Sequence, residues 1–432
     1  MIETDDLNPM INSAFLLGVR GSRMPEGEAE TLLEELEELV SNLNIGVAVK
    51  KVVKVREPNA AFLLGSGKVQ EIAEEIKARG CDSLIFDEPL SAGQQRNWEK
   101  ELGGKILVID RQEIILDIFN SRATTKEASL QVELARLEYE LPRMKRAWSH
   151  LDRQRGGGAV QRDAGETQLE MDQRIIRTRI SRLKKELTEV LQHREVQRKK
   201  RQRVPLPTAS IVGYTNAGKS SLLNRVTLSD VMAEDKLFAT LDPTTRRADL
   251  PNGQTLLMTD TVGFIRRLPH RLVEAFKATL EEAVVATFLI HVLDASSPDV
   301  AKHYETTMNV LKELHADEKT IITVFNKIDM VEDRMELAML RHDYPGALFI
   351  SVKTGEGLDQ LLDKCQECIG EWGENVELLI PHDRYDLVNK LHEAGAITNK
   401  EVQDDGVYIE GTVPQRLLDP VKPFLINGRT LA

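Results

Sequence analysis

Cysteine is scarce in this chain: three residues in 432, at Cys81, Cys365 and Cys368. So few thiols argue for a reducing compartment, the cytoplasm. Long apolar runs are missing too. No stretch is long and apolar enough to span a membrane, and the N-terminus lacks the pattern of a signal peptide. Metal clusters are equally hard to find. Cys365-Gln-Glu-Cys368 has C-x-x-C spacing, but no second pair exists. It falls on a helical pattern with Leu361, Leu362, Ile369 and Trp372, which reads as core packing. His382 and His392 have no metal-like companions. What remains is an ordinary globular composition, 41% hydrophobic and 29% charged with a net charge of −12. The length suggests about three domains.

The organising stretch is Gly213, Tyr214, Thr215, Asn216, Ala217, Gly218, Lys219 and Ser220. It reads G-x-x-x-x-G-K-S, a phosphate-binding loop. Ala209 to Val212 reads as the strand before it and Ser221 to Val226 as the helix after it, the context this motif needs. Glycines let backbone N–H groups face phosphate oxygens, and the helix N-terminus adds positive potential. Lys219 can reach the β- and γ-phosphates, and the Ser220 hydroxyl can ligate Mg²⁺.

Base choice follows from Asn326, Lys327, Ile328 and Asp329, after the apolar run Thr320 to Phe325. The Asp329 carboxylate can accept from guanine N1–H and the exocyclic amine, a donor pair that adenine lacks. Asn326 can contact the other base edge, and the Lys327 stem can cover the ring. Ser351, Val352 and Lys353 follow the strand Ala347 to Ile350, and a backbone N–H there can reach guanine O6.

Two segments between these motifs read as switches. A strand from Leu256 delivers Asp260, Thr261, Val262 and Gly263. Asp260 can hold Mg²⁺ through water, and the Gly263 N–H can bond the γ-phosphate. Upstream lie Phe238, Ala239, Thr240, Leu241 and Asp242, then Pro243, Thr244 and Thr245. One threonine there should complete the Mg²⁺ shell; Thr240 is favoured over Thr244 and Thr245. These ordered motifs imply a GTP-hydrolysing domain, with Lys219, Thr240, Gly263 and Asn216 as its catalytic group. Phe264 stands where many small GTPases carry a water-orienting glutamine, and phenylalanine cannot do that work.

The rest of the chain divides around this domain. Residues 1–120 alternate strands and helices in βαβα order, which argues for a small parallel-sheet domain. Within it, Gly65-Ser-Gly-Lys68 reads as a turn opening a helix, with a second nucleotide site as the other reading. Residues 121–203 carry two leucine-rich seams, Leu130, Leu134, Leu137, Leu141 and Ile176, Ile180, Leu183, Leu187, Val190. Their spacing predicts an antiparallel helical hairpin, with Pro142 kinking the first helix and a glycine-rich tip over 155–166. Residues 142–203 hold 18 Lys and Arg against 8 Asp and Glu, a net of +10 in an acidic chain. Arginines beside a glycine-rich tip suit phosphate recognition and close backbone approach, so this arm is expected to contact nucleic acid. Val204-Pro-Leu-Pro207 links it to the GTPase domain, residues 204–373. Residues 374–432 read as a small α+β domain for docking or packing.

Taken together, the phosphate loop, Phe238 to Thr245, Asp260 to Phe264, Asn326 to Asp329 and the basic arm with Gly156-Gly-Gly158 resemble the HflX family of bacterial translational GTPases. The likeness covers nearly the whole chain. It implies an α/β fold: an N-terminal parallel α/β domain with a long helical hairpin, a P-loop GTPase domain and a small C-terminal domain. It implies GTP, GDP and Mg²⁺ as ligands, and the 50S subunit and 70S ribosome as partners, with rRNA contact through the hairpin tip. It further implies splitting of stalled or idle ribosomes, notably under heat stress. A cytoplasmic monomer, partly on ribosomes, is expected, with the membrane periphery as the alternative location. A loop asparagine such as Asn216 holds K⁺ in some GTPases. Two other readings are an ATP-driven RNA-remodelling enzyme using Gly65 to Lys68, and a GTP-regulated adaptor of a membrane protease.

Overall fold

The computed structural model describes residues 11–144, 162–201, 206–227, 237–238, 240–267, 282–393 and 396–426, apart from the side chains of 162–169, 191, 193–201, 370–373, 393 and 414–416. Residues 155–161 of the glycine-rich tip, Arg153, the Arg162 side chain, Ala239 and the basic side chains of 198–203 lie outside the described residues. The chain forms two compact units, Met1–Thr188 with Pro269–Ala275, and Glu189–Leu268 with Phe276–Ala432.

In the first unit, β1 (Ser13–Arg20), β2 (Gly46–Lys54), β3 (Ser83–Phe86) and β4 (Leu107–Asp110) make a parallel sheet in the order β2-β1-β3-β4. β1 is buried from Ala14 to Val19, as a parallel strand covered on both faces should be. The helix Glu28–Asn42 lays Leu32, Leu36 and Leu39 against it. The helix Ala92–Glu101 starts at a reciprocal Ser91–Gln94 capping box, which satisfies two backbone donors at once.

Buried polar contacts hold the next helices at the carboxyl ends of β3 and β4. Arg111 is 3% exposed and pairs with Asp87 at 2.6 Å and Glu35 at 2.9 Å. Asp110 accepts the Leu90 N–H at 2.9 Å and the Tyr139 hydroxyl at 3.1 Å. Tyr139 thereby fastens the helix Lys126–Glu140 to the sheet. At Pro142 that helix gives way to a 3₁₀ turn, Leu141–Arg143. The second basic helix runs Arg162–Arg201, so the last part of the expected glycine-rich tip is already helical. Ile180 and Leu183 on it are buried, and Arg179 and Lys184 reach Glu133 and Glu138 on the first helix. No helix among the described residues is long and apolar enough to cross a membrane.

The second unit is built on a six-stranded sheet. Its strands are β5 (Thr208–Gly213), β6 (Thr244–Asp249), β7 (Thr255–Asp260), β8 (Phe288–Asp294), β9 (Ile321–Asn326) and β10 (Leu348–Phe349). The order is β10-β9-β8-β5-β7-β6, parallel except for the β6–β7 hairpin. This order puts β5 centrally and gathers the loops after β5, β7, β9 and β10 at one edge, where open α/β sheets bind ligands. Cys365 and Cys368 lie in the core of this sheet with Leu361 and Ile369, and burial pushes the Cys365 thiol up to about 12. The helix Leu358–Trp372 runs directly into β11 (Gly373–Ile380). With β12 (Asn399–Gln403) and β13 (Gly406–Pro414) it forms an antiparallel sheet, β11-β13-β12. Val376, Leu378 and Ile380 pack there on Leu387, Val388 and Leu391 of the helix Tyr385–Glu393.

Candidate functional site

The phosphate loop leaves the end of β5. Gly213 has φ +146°, and a Cβ there would collide with the Val292 carbonyl oxygen. Gly218 has φ +93°, and a Cβ would run into the Asn326 amide. These two glycines are therefore required by backbone conformation and close approach together. Asn216 is exposed at φ +60°, a left-handed conformation that asparagine tolerates.

Lys219 opens the helix Lys219–Thr227 and turns back on its own loop, donating to the Tyr214 carbonyl at 2.7 Å. Burial lowers its pKa to about 8, against the opposing pull of Asp260. Asp260, at the end of β7, is fully buried. Burial raises its pKa, while Lys219, Ser220 and Thr240 act the other way.

Three oxygen-bearing side chains meet beside this lysine. Ser220 Oγ lies 2.6 Å from Asp260 Oδ2 and 2.8 Å from Thr240 Oγ1, and Thr240 Oγ1 lies 2.8 Å from the same carboxylate oxygen. The competing threonines are elsewhere. Thr244 begins β6, and Thr245 Oγ1 bonds Thr259 Oγ1 across the β6–β7 hairpin at 2.9 Å. Phe238 and Leu241 bracket Thr240 and are buried, with Phe238 at φ +55°. Asp242, next along, is half-buried.

Switch residues after Asp260 lie on the phosphate loop. Thr261 Oγ1 donates to the Ile211 carbonyl at 2.7 Å, and Val262 is buried. A Cβ on Gly263 would stand 2.8 Å from Thr215 Cα and 3.0 Å from Lys219 Nζ, so only glycine fits. Phe264 accepts from Thr215 N–H at 2.8 Å and donates to the Gly213 carbonyl at 3.1 Å. Its ring is 2% exposed and packed inward.

At the base end, Asp329 Oδ1 accepts from Ser351 Oγ at 2.6 Å, and Lys353 Nζ is 4.0 Å from Oδ2. Ile328 is buried beneath them. Lys327, at φ +64°, anchors its ammonium on Asp294 at 2.8 Å and leaves its stem to cover a base. Asn326 also has a part beside the expected base-edge contact, which the second hydrogen of its NH₂ group still allows. Its amide donates to the Ala217 carbonyl at 2.9 Å and accepts from the Val352 N–H at 3.1 Å, tying the phosphate loop to the loop after β10. The Ser351 N–H is spent on the Glu356 carbonyl at 2.9 Å.

Some participants gave no signal in the motif spacing. Tyr214 occupies a position the motif leaves open. Its hydroxyl accepts from the Arg266 N–H at 2.8 Å, and its ring stacks on His303 with centroids 3.8 Å apart. Asp294 was equally silent, because only the sheet order puts it beside Lys327. In the other unit, Gly65 to Lys68 opens the helix Ser66–Arg79, and Lys68 pairs with Glu71 at 2.5 Å.

Comparison with known proteins agrees with this arrangement. Residues 30–120 match the family described as GTP-binding GTPase N-terminal, 122–201 the GTP-binding GTPase Middle Region, and 208–327 the 50S ribosome-binding GTPase family. The GTPase HflX of Akkermansia muciniphila is 48% identical over 438 residues, covering 99% of this chain and 100% of that protein. The GTPase HflX of Escherichia coli (strain K12) is 43% identical over 376 residues, 87% of each chain. A GTP-binding protein from Sulfolobus solfataricus, solved in complex with GDP, is 27% identical over 83% of this chain and 99% of that one, with a TM-score of 0.42. Near-complete coverage of HflX proteins at this identity, together with the phosphate loop and its switch residues, places the chain in the HflX family and makes it a GTP hydrolase.

Proposed function

We propose that this chain is a ribosome-bound GTPase that separates stalled or idle ribosomes into subunits, notably under heat stress. GTP binding would order the two switch segments, and hydrolysis would release them. The observation that carries this reading is the meeting of Ser220, Thr240 and Asp260. It joins the phosphate loop to both switches, so a change at the phosphates reaches both at once. Similarity of residues 208–327 to 50S ribosome-binding GTPases supports the choice of partner. So does the net +10 of residues 142–203, which suits an rRNA surface.

The same three residues fit Mg²⁺. Hydroxyl and carboxylate oxygens suit a small hard cation, and Asp260 Oδ1 is buried with no hydrogen-bond partner. Ser220 and Thr240 would bind it directly and Asp260 through water. When bound, Mg²⁺ neutralises charge on the β- and γ-phosphates. In this reading Lys219 leaves the Tyr214 carbonyl for the phosphates, the Gly263 N–H meets the γ-phosphate, and Asp329 selects guanine. Residues 1–120, 121–203, 204–373 and 374–432 serve as the four working parts, with the tip of the second reaching rRNA.

Sucrose-gradient analysis of intact ribosomes tests this. With GTP or a non-hydrolysable analogue, the protein should convert 70S particles to subunits. Replacing residues 155–166 by a short Gly-Ser turn should abolish splitting, keep GTP binding and weaken the salt dependence of 50S binding. A tip-replaced protein that splits ribosomes as fast as its parent would overturn the assignment.

A further inference from the structure

Among the described residues the C-terminal sheet carries none of the candidate phosphate-binding or catalytic groups, yet it is tied to the hairpin that joins the two candidate switch segments. β6 begins directly after the first switch, at Thr244, and β7 ends at Asp260, where the second switch begins. The turn between them, residues 250–254, is therefore the far end of one hairpin that holds both switches. Gln254 in this turn is 5% exposed and donates its amide to Thr412 Oγ1 on β13 at 2.5 Å. Thr412 passes its own proton to Asn375 Oδ1 on β11 at 2.6 Å. Behind Gln254, its Oε1 accepts from Asn252 Nδ2 at 2.9 Å.

The direction of this relay is settled by donor chemistry. A threonine hydroxyl has one proton. Thr412 gives it to Asn375, so its lone pair faces Gln254, and Gln254 must present its amide N–H₂. Asn252 then orients that amide by donating to its oxygen. The same order follows from the other end, because the Gln254 N–H donates to Asn252 Oδ1 at 3.0 Å and so turns Asn252 Nδ2 toward Gln254 Oε1. A buried amide or hydroxyl that loses its partner forfeits more than the bond is worth in water, so the relay resists displacement of the turn. The turn itself is tight: Gly253 has φ +81°, and the Gly253 and Leu250 N–H groups are both bonded within it. A turn closed by these bonds carries its anchorage into both strands.

We propose that Gln254 and Thr412 are positioning residues for GTP hydrolysis: through them the C-terminal domain restrains the β6–β7 hairpin and so holds both switch segments on the nucleotide. The domain is then a brake on nucleotide release, which gives the tail a function beyond docking. This inference depends on the GTPase activity and not on the ribosome reading.

The test uses the full-length protein without ribosomes, so a failure of the ribosome reading leaves it untouched. Dissociation of a fluorescent GDP analogue and steady-state GTP hydrolysis are measured for the parent, Gln254→Ala, Thr412→Val, Thr412→Ser and the Gln254→Ala/Thr412→Val double variant. Thr412→Val keeps the shape and removes the hydroxyl; Thr412→Ser keeps the hydroxyl. Gln254→Ala and Thr412→Val should each raise the GDP dissociation rate and the KM for GTP by about threefold to tenfold, the range of one buried neutral hydrogen bond. Thr412→Ser should match the parent, and the double variant should be no worse than either single one, because one relay is broken once. Three results would overturn the proposal: unchanged dissociation and KM in both single variants, a Thr412→Ser variant that behaves like Thr412→Val, or fully additive effects in the double variant.

Discussion

Lys219 donates its ammonium to the backbone carbonyl of Tyr214, five residues earlier in the same loop, at 2.7 Å. The lysine proposed to meet phosphate is thus held by the loop that surrounds it. It is also buried, at 6% exposure, with its pKa lowered to about 8.

The cost of that burial is measurable. The folded-state pKa lies below the ordinary value of 10.5. Below about pH 8 the lysine is charged in both states and the full penalty applies. Between about 8 and 10.5 the folded protein has released the proton and the unfolded chain has not, so stability rises with pH. The gain should be about 3 kcal/mol across that window. Lys219→Met should remove this rise and make the nucleotide-free protein more stable at pH 7, while losing GTP affinity. Urea unfolding of both proteins at pH 7 and pH 10 checks it; parallel pH dependence would count against the argument.

The proposed guanine selection rests on Asp329. Asp329→Asn keeps an acceptor for Ser351 but puts a donor against guanine's donors. Affinity for GTP should fall by well over tenfold, since a mismatched buried polar pair costs about 1–3 kcal/mol or more, and guanine presents two donors here. Titration of variant and parent with a fluorescent GTP analogue decides the matter, and equal affinities would remove Asp329 from base recognition.

The two threonines of the first switch region should behave differently. Thr240→Ala removes an oxygen from the Ser220–Asp260 group and should lower kcat by about tenfold or more, in the range of a charge-stabilising contact. Thr245→Ala removes only a bond across the β6–β7 hairpin and should leave kcat within about threefold, as a lost exchange of neutral hydroxyls allows. Mg²⁺ titrations of GTP hydrolysis would show a weakened metal dependence for Thr240→Ala alone. The reverse ranking would move the metal ligand to β6.

Phe264 is folded inward, so water must be activated without a side chain from that position. Hydrolysis is expected to run faster in K⁺ than in Na⁺ at equal ionic strength, with Asn216 helping to hold the ion. Asn216→Gly keeps the left-handed backbone at this position and removes the side chain. It should abolish the K⁺ advantage without unfolding the loop. Identical parent rates in the two salts, with and without ribosomes, would leave Asn216 as a loop-shaping residue.

Residues that are neighbours in the chain encode much of this site. Gly213 to Ser220 announces a phosphate loop because the conformation of eight consecutive residues depends on which are glycine. Asp329 announces guanine because a carboxylate's acceptor chemistry needs no partner to be read. Strand and helix positions followed from apolar spacing, down to the small tail with Gly373–Ile380 and Tyr385–Glu393. Tertiary structure decided the contacts between residues far apart in the chain. Thr240, Thr244 and Thr245 are chemically alike, and only the course of the segment into β6 puts Thr240 beside Asp260. Asn326 reads locally as a base contact, and only the sheet order brings Ala217 and Val352 within reach of its amide as well. Gln254 and Thr412 are separated by 158 residues, and neither belongs to a motif. Such partnerships are set by strand order and burial, where an unpaired polar group is costly, and local spacing carries no record of them.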